Sequence, residues 1–353
     1  MILTQFQIIA FRNLDSLTFA PSPGVNAIIG PNGAGKSSVL EAIHTLSAGH
    51  SFRTRKAREL VAHNADSFTV SGLLQDRQGR EHRCGMRRSS SGEVELRMNY
   101  EPVRSMAVIS RAIPVKALTP DSHALIQDGP TARRQFIDWG AFHEDSEFFA
   151  HWKLYRRALS QRNHALRSHA PTPEIVSWNN EFAAAGSWID ECRSNYLNQL
   201  QPYFEQLLGQ LTSSFTVNLT YKRGFTEERT LLETLEKNLS QHQRFRTTTD
   251  GPHRAELMMT VGEHPARQVL SRGQQKLVVY ALHLAQLEVL HQDADRHAIV
   301  LSDDLASELD QHNLKQVLTL LASKPTQVFI AGTESLENAT NFQLNQGKIT
   351  LLE

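Results

Sequence analysis

The sequence predicts an α/β fold. It has a mixed sheet carrying a nucleotide site, an antiparallel subdomain beside that sheet, and a helical insertion in the middle of the chain. Three observations predict it. A buried-strand pattern at residues 25–29 runs into a glycine-rich loop and then an apolar helical stretch. Residues 67–98 switch to period-two alternation. Two further apolar strands, near residues 298–303 and 327–331, return after a long helical middle third.

The loop is Gly30-Pro31-Asn32-Gly33-Ala34-Gly35-Lys36-Ser37, which fits the phosphate-binding pattern Gly-x-x-x-x-Gly-Lys-[Ser/Thr]. Its glycines let the backbone curl around a phosphate where a Cβ would clash. The helix opening at Gly35 adds unpaired N–H groups and the positive end of its dipole. Lys36 is expected to reach the β- and γ-phosphates of a nucleotide, and Ser37 to hold Mg²⁺. A Gly-rich turn can match by accident, but Val39, Leu40, Ile43 and Leu46 follow at helical spacing, as the chemistry requires.

At 353 residues the chain is long enough for about two domains. Its 37 basic and 37 acidic residues leave a formal net charge of zero, which excludes a globally basic nucleic-acid binder but not a local basic face. Two cysteines, Cys84 and Cys192, cannot make a disulfide framework and suit a reducing compartment. No apolar run approaches the ~20 residues of a membrane span, and no signal peptide is evident at the N-terminus. A cytoplasmic protein without a membrane partner is the expectation. The 16 histidines lack the paired spacing of a zinc site.

In chain order, residues 2–29 read as two strands, turned by Arg12-Asn13 and by Pro21-Ser22-Pro23-Gly24. After the loop helix, Arg53, Arg55, Lys56 and Arg58 form a short cationic run. This is either a solvated face or a contact to a phosphate or DNA backbone. Phe68, Val70, Gly72 and Leu74 then alternate, with Cys84 and Met86 on the return. Asp121 and the turn Gly129-Pro130 punctuate the start of the helical part. Phe149, Trp152, Leu159 and Leu166 share a helical face. Ile175, Trp178, Phe182, Ala185, Ile189, Cys192 and Tyr196 step by three and four, a heptad seam. Two helices packed as a short coiled-coil hairpin follow, with the tryptophans in the core and Pro202 expected to kink or end the second near Gln201. Lys153, Arg156, Arg157 and Arg162 read as its charged surface.

Near the C-terminus, Ser271-Arg272-Gly273-Gln274 heads a long apolar helix. Ser271 is either a simple N-cap or part of a second anion site. Residues 298–302 lead to the paired acids Asp303 and Asp304. The first is placed to hold Mg²⁺ and the second to orient and deprotonate water, unless the pair is merely a polar turn. Ser307-Glu308-Leu309-Asp310 follows. The expected division is 1–117, the first ATPase part; 118–249, the helical arm; and 250–353, the second ATPase part.

Phosphate loop, Ser-Arg-Gly-Gln signature, paired acids and Ser-Glu-Leu-Asp loop together resemble the ATP-binding-cassette (ABC) set. The long insertion before the signature is similar to the SMC-like head ATPases of DNA repair. Phe11-Arg12-Asn13-Leu14, Gly251-Pro252-His253-Arg254, Leu270-Ser271-Arg272-Gly273-Gln274 and Asp303-Asp304-Leu305-Ala306-Ser307-Glu308-Leu309-Asp310 resemble the RecF family over the whole chain. That resemblance implies an ABC-type ATPase head and a recombination mediator acting on DNA at single-strand gaps with RecR and RecO.

It also implies that residues Gly30 to Ser38 bind ATP, that Lys36 and Asp304 are catalytic, and that Ser37 and Asp303 hold Mg²⁺. Ser271, Arg272, Gly273, Gln274 and Asp310 are implied to meet the ATP of a second copy in a homodimer. Two departures stand out. Asp304 replaces the usual Glu, which points to slow hydrolysis, and Ala331-Gly332-Thr333 replaces the switch His, leaving Thr333 as the polar substitute. Gln127 is a candidate for the cassette glutamine. The alternative is the ATPase subunit of an ABC transporter. A GTPase is disfavoured because no Asn-Lys-x-Asp motif occurs.

Overall fold

The computed structural model describes residues 1–293, 296–303, 310–324 and 326–352. The chain forms two compact units, Met1–Ser122 with Leu290–Glu353, and His123–Val289. The chain returns to the first compact unit at residue 290, whereas the expected division began the second ATPase part at residue 250. The signature helix as far as Val289 falls in the second unit, where His283 packs on Phe136 and Gln286 Nε2 donates to the Phe136 carbonyl at 2.8 Å.

In the first unit β1 (Ile2–Phe11), β2 (Leu14–Phe19), β3 (Val25–Ile29) and α1 (Lys36–Ala48) come in order. They are followed by β4 (Ser67–Gln75), β5 (Glu81–Ser89), β6 (Val94–Met98), β7 (Glu101–Pro102), α2 (Met106–Ala112) and β8 (Val115–Leu118). The first 29 residues thus make three strands rather than two. Buried Leu14, Leu17 and Phe19 are spaced three and then two, which hides the alternation of β2. Its link to β1 is the two-residue turn Arg12-Asn13, with Arg12 left-handed at φ 55°.

One sheet is ordered β2-β1-β4-β5-β6-β7, antiparallel throughout, and the residues that alternate in β4 (Phe68, Val70, Leu74) are buried. Once the chain returns to this unit it adds β12 (Ala298–Asp303), the helix Gln311–Ala322, β13 (Thr326–Gly332), β14 (Thr340–Asn345) and β15 (Lys348–Leu351). The second sheet is ordered β15-β14-β3-β13-β12-β8, parallel except for β15. Phe6, Phe11, Phe68, Val39, Leu40 and Phe329 belong to one apolar core that unites both sheets and α1. One buried amide joins the two sheets where backbone ladders cannot, and a second braces the loop before β3. Gln327 bonds both the N–H and the C=O of Leu3 at 2.9 and 2.8 Å, and Asn26 bonds Ser22 and the Val328 carbonyl.

The second unit holds α3 (Ala124–Gln127), α4 (Pro130–Glu144), α5 (Phe148–Arg167), α6 (Thr172–Val176) and α7 (Asn179–Leu211). The strand β9 (Asn218–Lys222), α8 (Leu231–Lys237), α9 (Leu239–Phe245), β10 (Glu256–Val261), β11 (His264–Pro265), α10 (Ala266–Val269) and α11 (Arg272–His291) complete it. The seam of α7 packs on α5 as expected, with Phe182, Ala185, Ile189 and Tyr196 buried.

Three expectations fail here. α7 does not end near Gln201 but runs through Pro202 to Leu211: the prolyl ring is on the solvent face, where water can serve the freed carbonyl, and Leu200, Phe204, Leu207 and Leu208 keep packing. Arg162 is fully buried rather than part of a charged surface. The tryptophans are not core: Trp152 and Trp178 are half-buried, and Trp188 is exposed and stacked on His151.

Candidate functional site: a phosphate cradle in the first unit

The phosphate loop joins the carboxyl end of β3 to α1. Two of its glycines have a local reason. Gly35 caps α1 in the left-handed region at φ 103°, where an added Cβ would also meet Leu14 and Asn13. A Cβ on Gly30 would run into the Leu344 carbonyl. Pro31, Asn32 and Gly33 form the exposed rim, while Ala34 to Ser38 are half-buried. Lys36 Nζ donates to the carbonyls of Gly30 at 2.8 Å and Pro31 at 3.0 Å, so the ammonium lies along the loop it serves.

Parallel pairing of β12 with β13, and of β13 with β3, brings the end of the acid strand to the same edge of the sheet as the loop. There Ser37 Oγ donates to Asp303 Oδ1 at 2.8 Å. The expected metal pair, 266 positions apart in sequence, is thus assembled. Asn13, Lys36, Ser37, Ser38, Asp303 and Thr333 all face one cavity of about 450 Å³. Thr333 follows β13 and stands where the polar substitute for a switch His was expected.

Arg53 faces that cavity as well, and its guanidinium donates to Asp303 Oδ2 at 2.6 Å. Its NH1 lies 3.5 Å from Glu41 Oε1. The cationic run is therefore divided. Arg53 belongs to the nucleotide cavity, whereas Arg55, Lys56 and Arg58 are exposed, with Lys56 paired to Glu59 at 3.1 Å. Among the residues expected to contact DNA, Arg53 faces the cavity, where the carboxylates of Asp303 and Glu41 hold it.

Sequence reasoning missed Glu41. It is buried on α1 and accepts bonds from Arg12 Nη2 and Ser51 Oγ, both at 2.5 Å. An acid at a buried helix position demands cations, and that rule was the available signal. Asn13 bonds the Gly33 carbonyl and accepts from Ser38 Oγ at 2.7 Å, so the β1–β2 turn braces the loop.

The donor set fits Mg²⁺ bound with ATP. Ser37 and Asp303 present hard oxygens at a helix N-terminus, and the Asp303 carboxylate already attracts a cation in the form of Arg53. Asp304, the expected base, lies outside the described residues, as do Ser307, Glu308 and Leu309. Asp310 is exposed and N-caps the helix Gln311–Ala322 by accepting from Asn313 N at 2.9 Å. That bond holds its carboxyl below the usual range.

In the second unit, Ser271 and Gln274 make a reciprocal cap: Ser271 N donates to Gln274 Oε1 at 2.8 Å and Gln274 N donates to Ser271 Oγ at 3.3 Å. Both readings of Ser271 survive, since Ser271, Arg272 and Gly273 remain exposed and a Cβ on Gly273 would meet nothing. Gln127 bonds the side chain of Gln275 on α11. His253 of the Gly-Pro-His-Arg stretch is structural: its Nε2 donates to the Thr248 carbonyl at 3.0 Å, which leaves Nδ1 to accept from Tyr155 Oη at 2.6 Å.

The RecF/RecN/SMC N-terminal domain model matches residues 2–344, nearly the whole chain. The protein named DNA replication and repair protein RecF from Shewanella baltica (strain OS155) is 38% identical, over 100% of both chains. The chain belongs to the RecF family. A RecF protein from Shewanella putrefaciens is 37% identical over the same full extent. A solved structure of the recombination mediator protein RecF with ATP, of the RecFOR pathway, superposes with a TM-score of 0.90 at 27% identity. It covers 100% of this chain and 98% of that one. The Smc head bound to the C-winged helix domain of ScpA shares the fold at a TM-score of 0.62 and 16% identity. The expected ABC-type head ATPase fold stands, and a transporter subunit is not favoured.

Proposed function

We propose that this RecF-family chain is an ATP-dependent recombination mediator that binds DNA at single-strand gaps, with ATP binding as the switch and slow hydrolysis as the reset. The observation that carries the reading is the Ser37–Asp303 pair under the phosphate loop, in a cavity that also holds Lys36, Arg53 and Thr333. Backbone N–H groups of residues 33–37 and the α1 dipole bind the phosphates. Lys36 leaves the Gly30 and Pro31 carbonyls for the β- and γ-oxygens. Ser37 and Asp303 hold Mg²⁺, which supplies charge neutralisation at the phosphoryl group. Asp304 acts as base by family resemblance; Asp is one methylene shorter than Glu, so it reaches water less well and turnover is slow.

The exposed Ser271-Arg272-Gly273 stretch, with Gln274, contacts the ATP of a second copy, as does Asp310, in a homodimer. Within the cytoplasm the dimer works with RecR, and through it RecO. Arg55, Lys56 and Arg58 contribute to DNA contact.

Light scattering with and without ATP and Mg²⁺ tests the switch. The native chain should double in mass with ATP, Lys36→Ala should lose nucleotide binding and stay monomeric, and Ser271→Arg should bind ATP yet stay monomeric. Normal dimers of Ser271→Arg would refute the shared site.

A further inference from the structure

The arm unit carries a second basic element that the nucleotide site does not use. We infer that the turn Arg244-Phe245-Arg246, at the end of α9, is a contact for single-stranded DNA, with Phe245 as a base-stacking platform and the two arginines on flanking phosphates. The inference rests on the DNA-binding reading above and gives it a surface.

The turn is held rigidly from below. Arg162, fully buried, donates from Nε to Asn179 Oδ1 at 2.9 Å, from Nη1 to Thr248 Oγ1 at 2.7 Å and from Nη2 to His242 Nδ1 at 3.1 Å. A guanidinium can only donate, so His242 Nδ1 accepts and its Nε2–H donates to Asp250 Oδ2 at 2.8 Å. His242 and Thr248, both fully buried, therefore pin the two ends of the segment that exposes residues 244–246. Arg246 ends α9 in the left-handed region at φ 56°, a conformation that a non-glycine residue adopts at some cost and that turns the chain sharply.

What this scaffold presents is an exposed ring whose sequence neighbours on both sides are arginines. Phe245 is 55% exposed, and the Arg244 guanidinium stands 5.8 Å from its centroid. An exposed ring with a guanidinium over it offers both a π-face for a nucleobase and a cation for its phosphate. The surroundings reinforce the charge. α9 packs on the end of α5, where Leu239 meets Ala165 and Leu166. α5 itself carries Lys153, Arg156, Arg157 and Arg167 outward, with no acid in its 20 residues, in a chain whose net charge is zero. The exposed acids on the helices packed against α5 and α9 are Glu174 on α6, Glu191 and Glu205 on α7, and Glu233 and Glu236 on α8.

Fluorescence anisotropy with fluorescein-labelled oligo(dT) of about twenty nucleotides, longer than a typical single-strand site, tests this, beside a duplex of equal length, all with ATP and Mg²⁺. Phe245→Ala should weaken oligo(dT) binding by roughly 5- to 150-fold, the loss of one stacked base, and leave duplex binding and the salt slope unchanged. Arg244→Gln with Arg246→Asn, an exchange that tolerates the left-handed turn, should lower the salt slope on oligo(dT) by about 0.7 for each phosphate no longer neutralised. Circular dichroism melting should match the native chain for both, since all three side chains are exposed. Oligo(dT) binding by Phe245→Ala equal to native would overturn the inference while leaving the DNA reading intact, as would equal weakening on both probes. Failure of the native chain to bind either probe would overturn both.

Discussion

Asp303 is claimed twice. Its Oδ1 accepts from Ser37 and its Oδ2 from Arg53, and a carboxylate holding a guanidinium is a weaker ligand for a divalent cation. Arg53 has a second carboxylate within reach, Glu41 at 3.5 Å, to which it can turn. Arg53→Ala should therefore lower the Mg²⁺ concentration that half-saturates binding of a fluorescent ATP analogue. The Arg53 side chain is half exposed, so solvent limits the contact to ~0.5–1 kcal/mol, a two- to fivefold shift. In EDTA the same variant should bind the analogue more weakly, because one cation facing the phosphates is gone. A Mg²⁺ requirement identical to the native chain's would mean that Arg53 and the metal do not compete.

Packing of helices in the arm gives a sharper test at the level of elements. On α4, a Cβ at Gly140 would overlap the ring of Tyr196 on α7, and both residues are buried. Gly140→Ala should destabilise by ~1–3 kcal/mol through overpacking. Gly209, also on α7, has open space around it, so Gly209→Ala should stabilise by about 0.5 kcal/mol through helix propensity and a stiffer unfolded chain. Urea midpoints moving in the same direction for both would contradict this account. The contrast also explains what the sequence could reveal. The strand, loop and helix of residues 25–48 are local, so spacing alone discloses them, and the seam of α7 repeats along one helix. Arg162 obeys no local rule: its partners lie 17, 80 and 86 positions away, and its helix position looks like any solvated arginine. Arg53 likewise lay within a cationic run whose other members do face water, and only the return of Asp303 from 250 residues away distinguishes it.

For the whole molecule, a formal charge of zero means that pH acts through individual buried groups more than through net repulsion. Each unit contains a histidine whose pKa burial lowers from 6.5 to about 4: His44 on α1 in the first unit and His253 in the second. Burial keeps both neutral, against the opposing pull of the carbonyls they donate to. His44 Nδ1 donates to the His50 carbonyl at 2.7 Å, and His253 accepts from Tyr155 while donating to Thr248. In the unfolded chain each takes up a proton near pH 6.5, whereas in the fold it resists until about pH 4. Between those values the unfolded state binds more protons, so stability must fall as pH falls, and above about 6.5 these two groups contribute no slope. The loss should be on the order of 2 kcal/mol for each histidine. Urea midpoints measured from pH 7.5 to 4.5 should fall slightly toward pH 7, where buried Lys116, its pKa lowered to about 7, still adds a slope, and then decline further below about 6.5 as the two histidines take over. Amide exchange should show both units losing protection together, because each carries its own histidine. A decline confined to one unit would remove the other's histidine from the account, and a midpoint level down to pH 4.5 would remove both.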